Sequence, residues 1–341
     1  MPVRVAVVGA GFVGLDHLGA YASWSDAKIV GVVDTDLPRA TEAAARYGGR
    51  PYASVGELLA SEQVDALSVC VPTGLHLPVV REVVAAGAHI LLEKPMAASV
   101  TDCDEIARLC RAAGVLLMLG FTHRFHAELR KAKEMIEEGR LGEVMLAHDH
   151  FSFGETGPWP AWYYSRELSG GGELMHDAVH LVDRMAWLIG SPIVEVDGRT
   201  TTYARGIEGV EDGGVAILRF ANGAIGSMFV NQSTFPLHQD APSVPMPGRL
   251  ELELHGKRGS FRYRTWQSLE FDSPDEHWVL DNQPRDELRL EVREFLDAIA
   301  EGRPPIVAAR EGRRGVATVA AICESERRGS RVLVDDLFPE P

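Results

Sequence analysis

The chain has 341 residues, 45% of them hydrophobic and 24% charged, an ordinary globular composition, and its length suggests about two domains. Its 49 acidic residues outnumber 34 basic ones for a net charge of −15; such a surface repels phosphate backbones and anionic lipid headgroups, so neither nucleic acid nor membrane is expected as a partner. Cys70, Cys103, Cys110 and Cys323 form no CxxC pair, no targeting segment is visible, and no apolar run reaches the roughly 18 residues of a bilayer span, so reduced thiols and a cytoplasmic setting are expected.

Up to Gly120, short apolar runs alternate with amphipathic segments. Val3–Val8, Lys28–Val33, Ala66–Val71, His89–Leu92 and Val115–Leu119 read as strands; Val13–Ser23, Pro38–Tyr47, Val55–Ser61, Leu77–Ala86 and Val100–Ala112 read as helices. Continuous Val/Ile/Leu runs suit strands buried on both faces, and their alternation with helices predicts a parallel, doubly wound sheet. The pattern changes after Phe121. Glu128–Glu138 reads as a helix stopped by Gly139, Leu141–Phe153 as a long strand, Gly154–Ser169 as an aromatic and proline-rich loop, and Gly172–Ile189 as one helix. Strand pairs follow. Asn222-Gly223 between two apolar runs marks a tight hairpin, and Leu250–Leu254 and Ser260–Thr265 flank a turn at Gly256–Gly259. Asp240–Gly248, with its three prolines, reads as a mobile loop, and Arg289–Ala300 and Gly312–Glu326 as closing helices. The expected architecture is α/β: a parallel domain over residues 1–121, then an α+β domain over 122–341 with an open, mostly antiparallel sheet. The closing helices are free to pack back on the first domain.

Gly9-Ala10-Gly11-Phe12-Val13-Gly14 is a GxGxxG that follows a strand and opens a helix, the context in which it signals a Rossmann dinucleotide site. Gly9 permits the tight turn, Gly11 the approach of a pyrophosphate, and Gly14 close helix–strand packing, while free N–H groups at the helix start face the phosphates. The second strand ends at Asp34, 25 positions beyond Gly9 and somewhat more than the usual ~20. A carboxylate there accepts from the adenosine ribose and repels a 2′-phosphate. With Thr35 beside it and Asp36 adding charge, NAD is preferred over NADP; Arg39 is the residue that could reach a phosphate.

Leu91-Leu92-Glu93-Lys94-Pro95 ends another strand of the same sheet, where ligands of such sheets bind. Position alone leaves Lys94 either in the cofactor crevice or on the surface. With Gly9–Gly14, Val71-Pro72-Thr73-Gly74-Leu75-His76, Glu93-Lys94-Pro95, Arg124-Phe125, and Gly170-Gly171-Gly172 through His180 and Asp183, nearly the whole chain resembles the Gfo/Idh/MocA oxidoreductases, named for glucose–fructose oxidoreductase and inositol dehydrogenase. The resemblance implies a Rossmann domain followed by an open sheet carrying the substrate site and often the oligomer contact, and a homodimer or homotetramer. It implies that Lys94 contacts the substrate hydroxyl and nicotinamide ribose, and that Val71, Pro72, Thr73, His76 and Glu93 line the cofactor. Read locally, His76 is equally a capping or packed histidine.

In Glu173–Asp183, α-helical spacing puts His176, His180 and Asp183 on one face, and Gly170–Gly172 would let a ligand approach the helix start. Members of the family often carry Asp and then His four residues later; here the Asp position holds His176, and Asp177 is rotated by about 100°. Three readings stand: His180 as proton relay with His176 binding substrate; both histidines on a metal, with His148 or His150; or both as ordinary hydrogen-bonded residues. HxxxH alone is a weak metal signal, and no metal is assigned.

Lys94, His180 and His176 are therefore the catalytic candidates. Lys94 can stabilise developing alkoxide charge, or itself lose a proton beside a positive nicotinamide, while neutral His180 suits proton transfer near pH 7. The loop Pro158–Tyr164 has flat aromatics that pack on sugar faces or simply fill the fold. Trp162, Tyr163, Arg166, His123, Arg124 and His150 join the two histidines as substrate candidates. The expected activity is hydride transfer between nicotinamide and a secondary alcohol or ketone of a sugar, cyclitol or related polyol. The arginines also suit an acidic sugar. Two rivals share the fold: a redox-neutral NAD-using glycosidase or lyase, and a non-catalytic cofactor-sensing regulator.

Overall fold

The computed structural model describes residues 1–154, 159–202, 206–234, 248–281 and 283–339. The chain divides into two compact units, Met1–Phe125 with Asp286–Arg313, and His126–Arg285 with Arg314–Pro341.

In the first unit the apolar runs form β1 (Val3–Val8), β2 (Ala27–Val33), β4 (Ala66–Val69), β5 (His89–Glu93) and β6 (Leu117–Gly120), joined by α1 (Phe12–Ala22), α2 (Leu37–Tyr47), α3 (Val55–Ser61), α4 (His76–Ala85) and α5 (Val100–Ala113). Val5, Val7, Leu67, Val69 and Ile90–Leu92 are fully buried, as strands covered on both faces require. With β3 (Arg50–Tyr52), the strands are parallel in the order β3-β2-β1-β4-β5-β6, so the winding reverses between β1 and β4, where such sheets open a ligand crevice. The starts of α3 and α5 are set by side chains: Ser54 accepts from the Glu57 N–H at 3.2 Å and Ser99 from the Asp102 N–H at 3.1 Å. The sixth strand, β3 (Arg50–Tyr52), does not stand out in the sequence. It is a three-residue edge pairing only with Gly31–Val33, and an edge needs no apolar run.

The second unit holds α6 (Ala127–Glu137), β7 (Val144–Gly154), α7 (Arg166–Ser169), α8 (Val179–Ile189) and β8 (Ile193–Thr201), then β9 (Gly213–Phe220), β10 (Ile225–Thr234), β11 (Gly248–Gly256), β12 (Ser260–Arg264), β13 (Ser268–Asp272) and β14 (His277–Asp281). The chain then runs through α9 (Glu287–Glu301), which belongs to the first unit, and α10 (Ala309–Arg328) to β15 (Val332–Leu333). The nine-stranded sheet has the order β14-β13-β12-β11-β7-β10-β9-β8-β15. Every pairing is antiparallel except β7 with β10. The Asn222-Gly223 hairpin forms between β9 and β10, with Gly223 at φ +91°. Residues 240–247 of the expected proline-rich loop, and 155–158 of the aromatic one, lie outside the described residues; Gly248 opens β11.

Two expectations need correcting. Gly172–Ile189 is not one uniform helix, because a π-helical turn spans Leu174–Ala178 before α8 begins. Gly154–Ser169 is not wholly irregular: a 3₁₀ turn covers Ala161–Tyr164, and α7 follows. Among the described residues no helix is long and apolar enough to cross a membrane.

Arg184 of α8 donates to Asp149 of β7 through Nε at 2.7 Å and through Nη2, and both side chains are 0% exposed. Burial pushes the Asp149 carboxyl up, and the guanidinium opposes it. Removing one partner strands the other charge, so Arg184→Met is expected to cost ~3–5 kcal/mol in chemical denaturation, and Asp149→Leu added to it should recover much of the loss. A single variant as stable as the parent would show that the pair does not hold α8 on the sheet.

Candidate active site

The glycine loop follows β1. Gly9 sits at φ +94°, and a Cβ there would lie 2.3 Å from the Cys70 carbonyl oxygen. A Cβ on Gly14 would lie 1.8 Å from the carbonyl oxygen of Gly9, whereas one on Gly11 would meet nothing within 4 Å. The Gly11 face is thus open at the start of α1, which has no side-chain cap and no acidic residue in its first turn. An uncapped helix start behind an open glycine fits a dinucleotide pyrophosphate. Phe12, 83% exposed, and Val13 flank it.

Asp34, at the end of β2, ties this loop to the next. One carboxylate oxygen accepts from the Ala10 N–H at 2.9 Å, the other from the Asp36 N–H at 2.8 Å. Arg39 turns inward to the acids, at 3.4 Å from Asp34 and 2.9 Å from Asp36. Thr35 is exposed beside them.

Past β4, Val71 and Pro72 are half-buried and Thr73 is buried. His76 is buried, with Nε2 3.0 Å from the Val71 carbonyl and Nδ1 3.2 Å from that of Met96. A neutral imidazole has one N–H, and burial holds this ring's pKa below the usual histidine value, so only one of the two contacts is a donated bond at a time. The ring is packed between two loops at the strand ends, as its local reading allowed.

Lys94 follows β5 with a cis bond to Pro95. Its N–H donates to Glu93 Oε2 at 3.1 Å, and Glu93 Oε1 lies 3.0 Å from His17 Nε2. His17 Nδ1 lies 3.0 Å from Ser68 Oγ, which is 2.9 Å from Tyr21 Oη. Burial would raise the Glu93 pKa, but His17 and the charge of Lys94 outweigh it and hold it below the usual carboxyl range. The sequence reading overlooked His17: on an amphipathic helix it looks like a core residue, and its partner lies far along the chain. The buried 3₁₀ turn Thr122–Phe125 carries His123 and Arg124, whose Nη1 donates to the Ile306 carbonyl at 3.3 Å.

In the second unit, His176 lies in the π-helical turn and is buried. Its ring stacks on Tyr163 at 4.2 Å and meets Trp162 edge-on at 5.6 Å, and Tyr163 also stacks on Trp159 at 5.1 Å. The aromatic loop and the first histidine therefore form one packed cluster. His180 is buried on α8. The π turn breaks the uniform α-helical spacing on which a common His176–His180–Asp183 face was based.

Three expected contributions are redistributed. Gly172 makes room for protein rather than ligand: a Cβ there would lie 1.8 Å from the Glu211 carbonyl oxygen, which accepts from the Glu173 N–H at 2.7 Å. Glu211 Oε1 also accepts from the Leu174 N–H at 3.2 Å, an anchor that sequence reasoning missed. Arg166 is exposed and lies against Gly209, where a Cβ would meet its Nη1 at 2.6 Å. His150 is not brought to the histidine helix. Asp149 faces α8, so strand alternation turns His148 and His150 to the opposite face, where His150 stacks on Phe229 at 4.6 Å. Among the described residues, the one cluster of three His, Cys, Asp or Glu close enough to share an ion is His17, Glu93 and Glu291, so His176 and His180 are not joined by His148 or His150.

Residues 3–121 match the family model described as an oxidoreductase family with an NAD-binding Rossmann fold, and residues 129–262 match the GFO/IDH/MocA C-terminal domain. The chain is similar to inositol 2-dehydrogenase 3 of Saccharopolyspora erythraea, at 27% identity over 98% of this chain and 96% of the relative. It is also similar to the WlbA dehydrogenase of Bordetella pertussis, solved with NADH and UDP-GlcNAcA, at 31% identity over 97% of each chain and a TM-score of 0.83. Levoglucosan dehydrogenase, solved with NADH and levoglucosan, shares the fold at a TM-score of 0.89, with 22% identity over 100% of each chain. With the glycine cradle and the Glu-Lys-Pro turn in place, these matches establish that the chain belongs to the Gfo/Idh/MocA family of NAD-dependent oxidoreductases.

Proposed function

We propose that the protein transfers a hydride between NAD and a secondary alcohol or ketone of a sugar, cyclitol or related polyol. The observation that carries this reading is Lys94: it follows β5 at the strand ends where such sheets bind ligands, with its backbone anchored on the buried Glu93 carboxylate. The inositol, UDP-GlcNAcA and levoglucosan named for the relatives above supply the substrate class.

Bound NAD supplies the hydride acceptor. Gly11 would leave room for its pyrophosphate in the loop that Gly9 and Gly14 shape, and Asp34 would accept from the adenosine ribose. Arg39, already engaged by Asp34 and Asp36, is poorly available to a 2′-phosphate, which favours NAD over NADP. The Lys94 ammonium holds the reacting oxygen and stabilises its developing negative charge. His180 takes the hydroxyl proton, a task suited to an imidazole near neutral pH. His176 stands against Tyr163 and Trp162, which favours orienting over proton transfer. Trp162, half-buried, offers an apolar face for the C–H side of a sugar ring.

Absorbance of NADH at neutral pH, with NAD and a panel of inositols, sugars and sugar acids, tests the reading. Lys94→Ala should still bind NAD yet lose most turnover, and His180→Ala should lower the rate by roughly 10²–10⁴. Undiminished turnover in both variants would remove this site. Substrate consumption without NADH would point to redox-neutral chemistry.

Asp34→Ala should weaken NAD binding about tenfold or more, the worth of a hydrogen bond to a charged group, and narrow the preference over NADP. Titration of both cofactors by fluorescence reads this directly, and an unaltered preference would take Asp34 out of cofactor selection.

A further inference from the structure

Glu291 lies on α9 within the first unit. It is 0% exposed, and no donor group meets either carboxyl oxygen. An unpaired carboxylate in such a place costs several kcal/mol, so the group takes up a proton instead. A second carboxyl is close by: an oxygen of Glu291, an oxygen of Glu93 and a ring nitrogen of His17 all lie within 4.8 Å of one another. The other titratable and charged groups around Glu291 come from several elements. α1 contributes Tyr21 and the segment after β4 contributes Cys70; Asp16 and Lys94 act on Glu93, and the 3₁₀ turn that carries His123 and Arg124 packs on α9.

We propose that Glu291 is kept as the neutral acid with its O–H turned toward Glu93, so that the two carboxyls hold a single negative charge, and that Glu291 thereby acts as a positioning residue for the Glu93-Lys94-Pro95 turn. The donor inventory supports this division. Glu93 is already met by His17 and by the Lys94 N–H, and those contacts favour its charged form; Glu291 has neither. Burial, and then the nearby charge of Glu93, push the Glu291 pKa well above its usual value, while Glu93 is held below its own. Two acids with environments that push their affinities apart share one proton as a pair. The positive side chain of Lys94 then faces one buried charge rather than two. The role in catalysis rests on the hydride-transfer reading, but the protonation state does not.

The test is infrared spectroscopy of the full-length protein with NAD bound, for the parent and for Glu291→Gln, whose amide keeps a donor without titrating. A protonated-carboxyl carbonyl band should be present at neutral pH and vanish in Glu291→Gln. That variant should bind NAD within about twofold of the parent, whereas Glu291→Leu, which leaves Glu93 without the donor, should bind it about tenfold or more weakly. Thermal unfolding supplies a second readout. A raised folded-state pKa stabilises fully below the unfolded value of about 4.3 and less as pH rises through the folded value, so Glu291→Gln should gain on the parent as pH rises. Absence of the band, its survival in Glu291→Gln, or a stoichiometric divalent ion released by that substitution would overturn the shared proton. Because the band is read without substrate, its absence leaves the hydride-transfer reading standing. A band with no polyol turnover would overturn that reading instead and leave the shared proton in place.

Discussion

The backbone of the glycine loop passes so close to the end of β4 that there is no volume for a side chain at Gly9, and the same loop forbids one at Gly14. These contacts are with carbonyl groups, which cannot rotate away as a side-chain tip would. The start of α1, the uncapped N–H groups there and the Ala10 bond to Asp34 all follow from this approach. So does the place of His17 one helical turn further on, where it can meet Ser68 and Glu93. The cofactor loop and the foundation under Lys94 are thus consequences of one packing constraint at the sheet's switch point.

What the sequence disclosed follows the same physics. Strands covered on both faces must be apolar without interruption, so β1, β2, β4, β5 and β6 were legible, as were the hairpin at Asn222-Gly223 and the family-level motifs. β3 was hidden because three edge residues carry no such demand. The π-helical turn was hidden because the apolar positions of Leu174–Val182 fit an α-helix equally well. Gly170–Gly172 was read as making room for a ligand at the helix start, yet Gly172 admits the Glu211 backbone, a partner that no local pattern announces. His150 was grouped with the histidine helix because both carry imidazole, and only strand alternation around Asp149 separates them.

Buried charge organises both units in different ways. In the second, Arg184 and Asp149 neutralise each other and tie α8 to β7. In the first, the buried groups form a chain, Tyr21–Ser68–His17–Glu93, that ends on the backbone of Lys94. The ion pair acts as a fastener, while the chain sets the orientation and charge environment of the Glu93-Lys94-Pro95 turn. Sequence reasoning singled out Lys94 and Glu93 but not Tyr21, Ser68 and His17, which come from α1 and β4 and meet Glu93 only in the fold.

Gly11 stands two residues from Gly9 under a different kind of constraint. No protein atom presses on the position where its side chain would begin, so folding alone would tolerate alanine there. In the proposed function a pyrophosphate is what needs that space. Neighbouring letters of one motif therefore answer to separate pressures, one from the fold and one from the cofactor. A chain of this kind that had given up its nucleotide could lose the middle glycine and keep the outer two, so the three letters of the motif would decay at different rates.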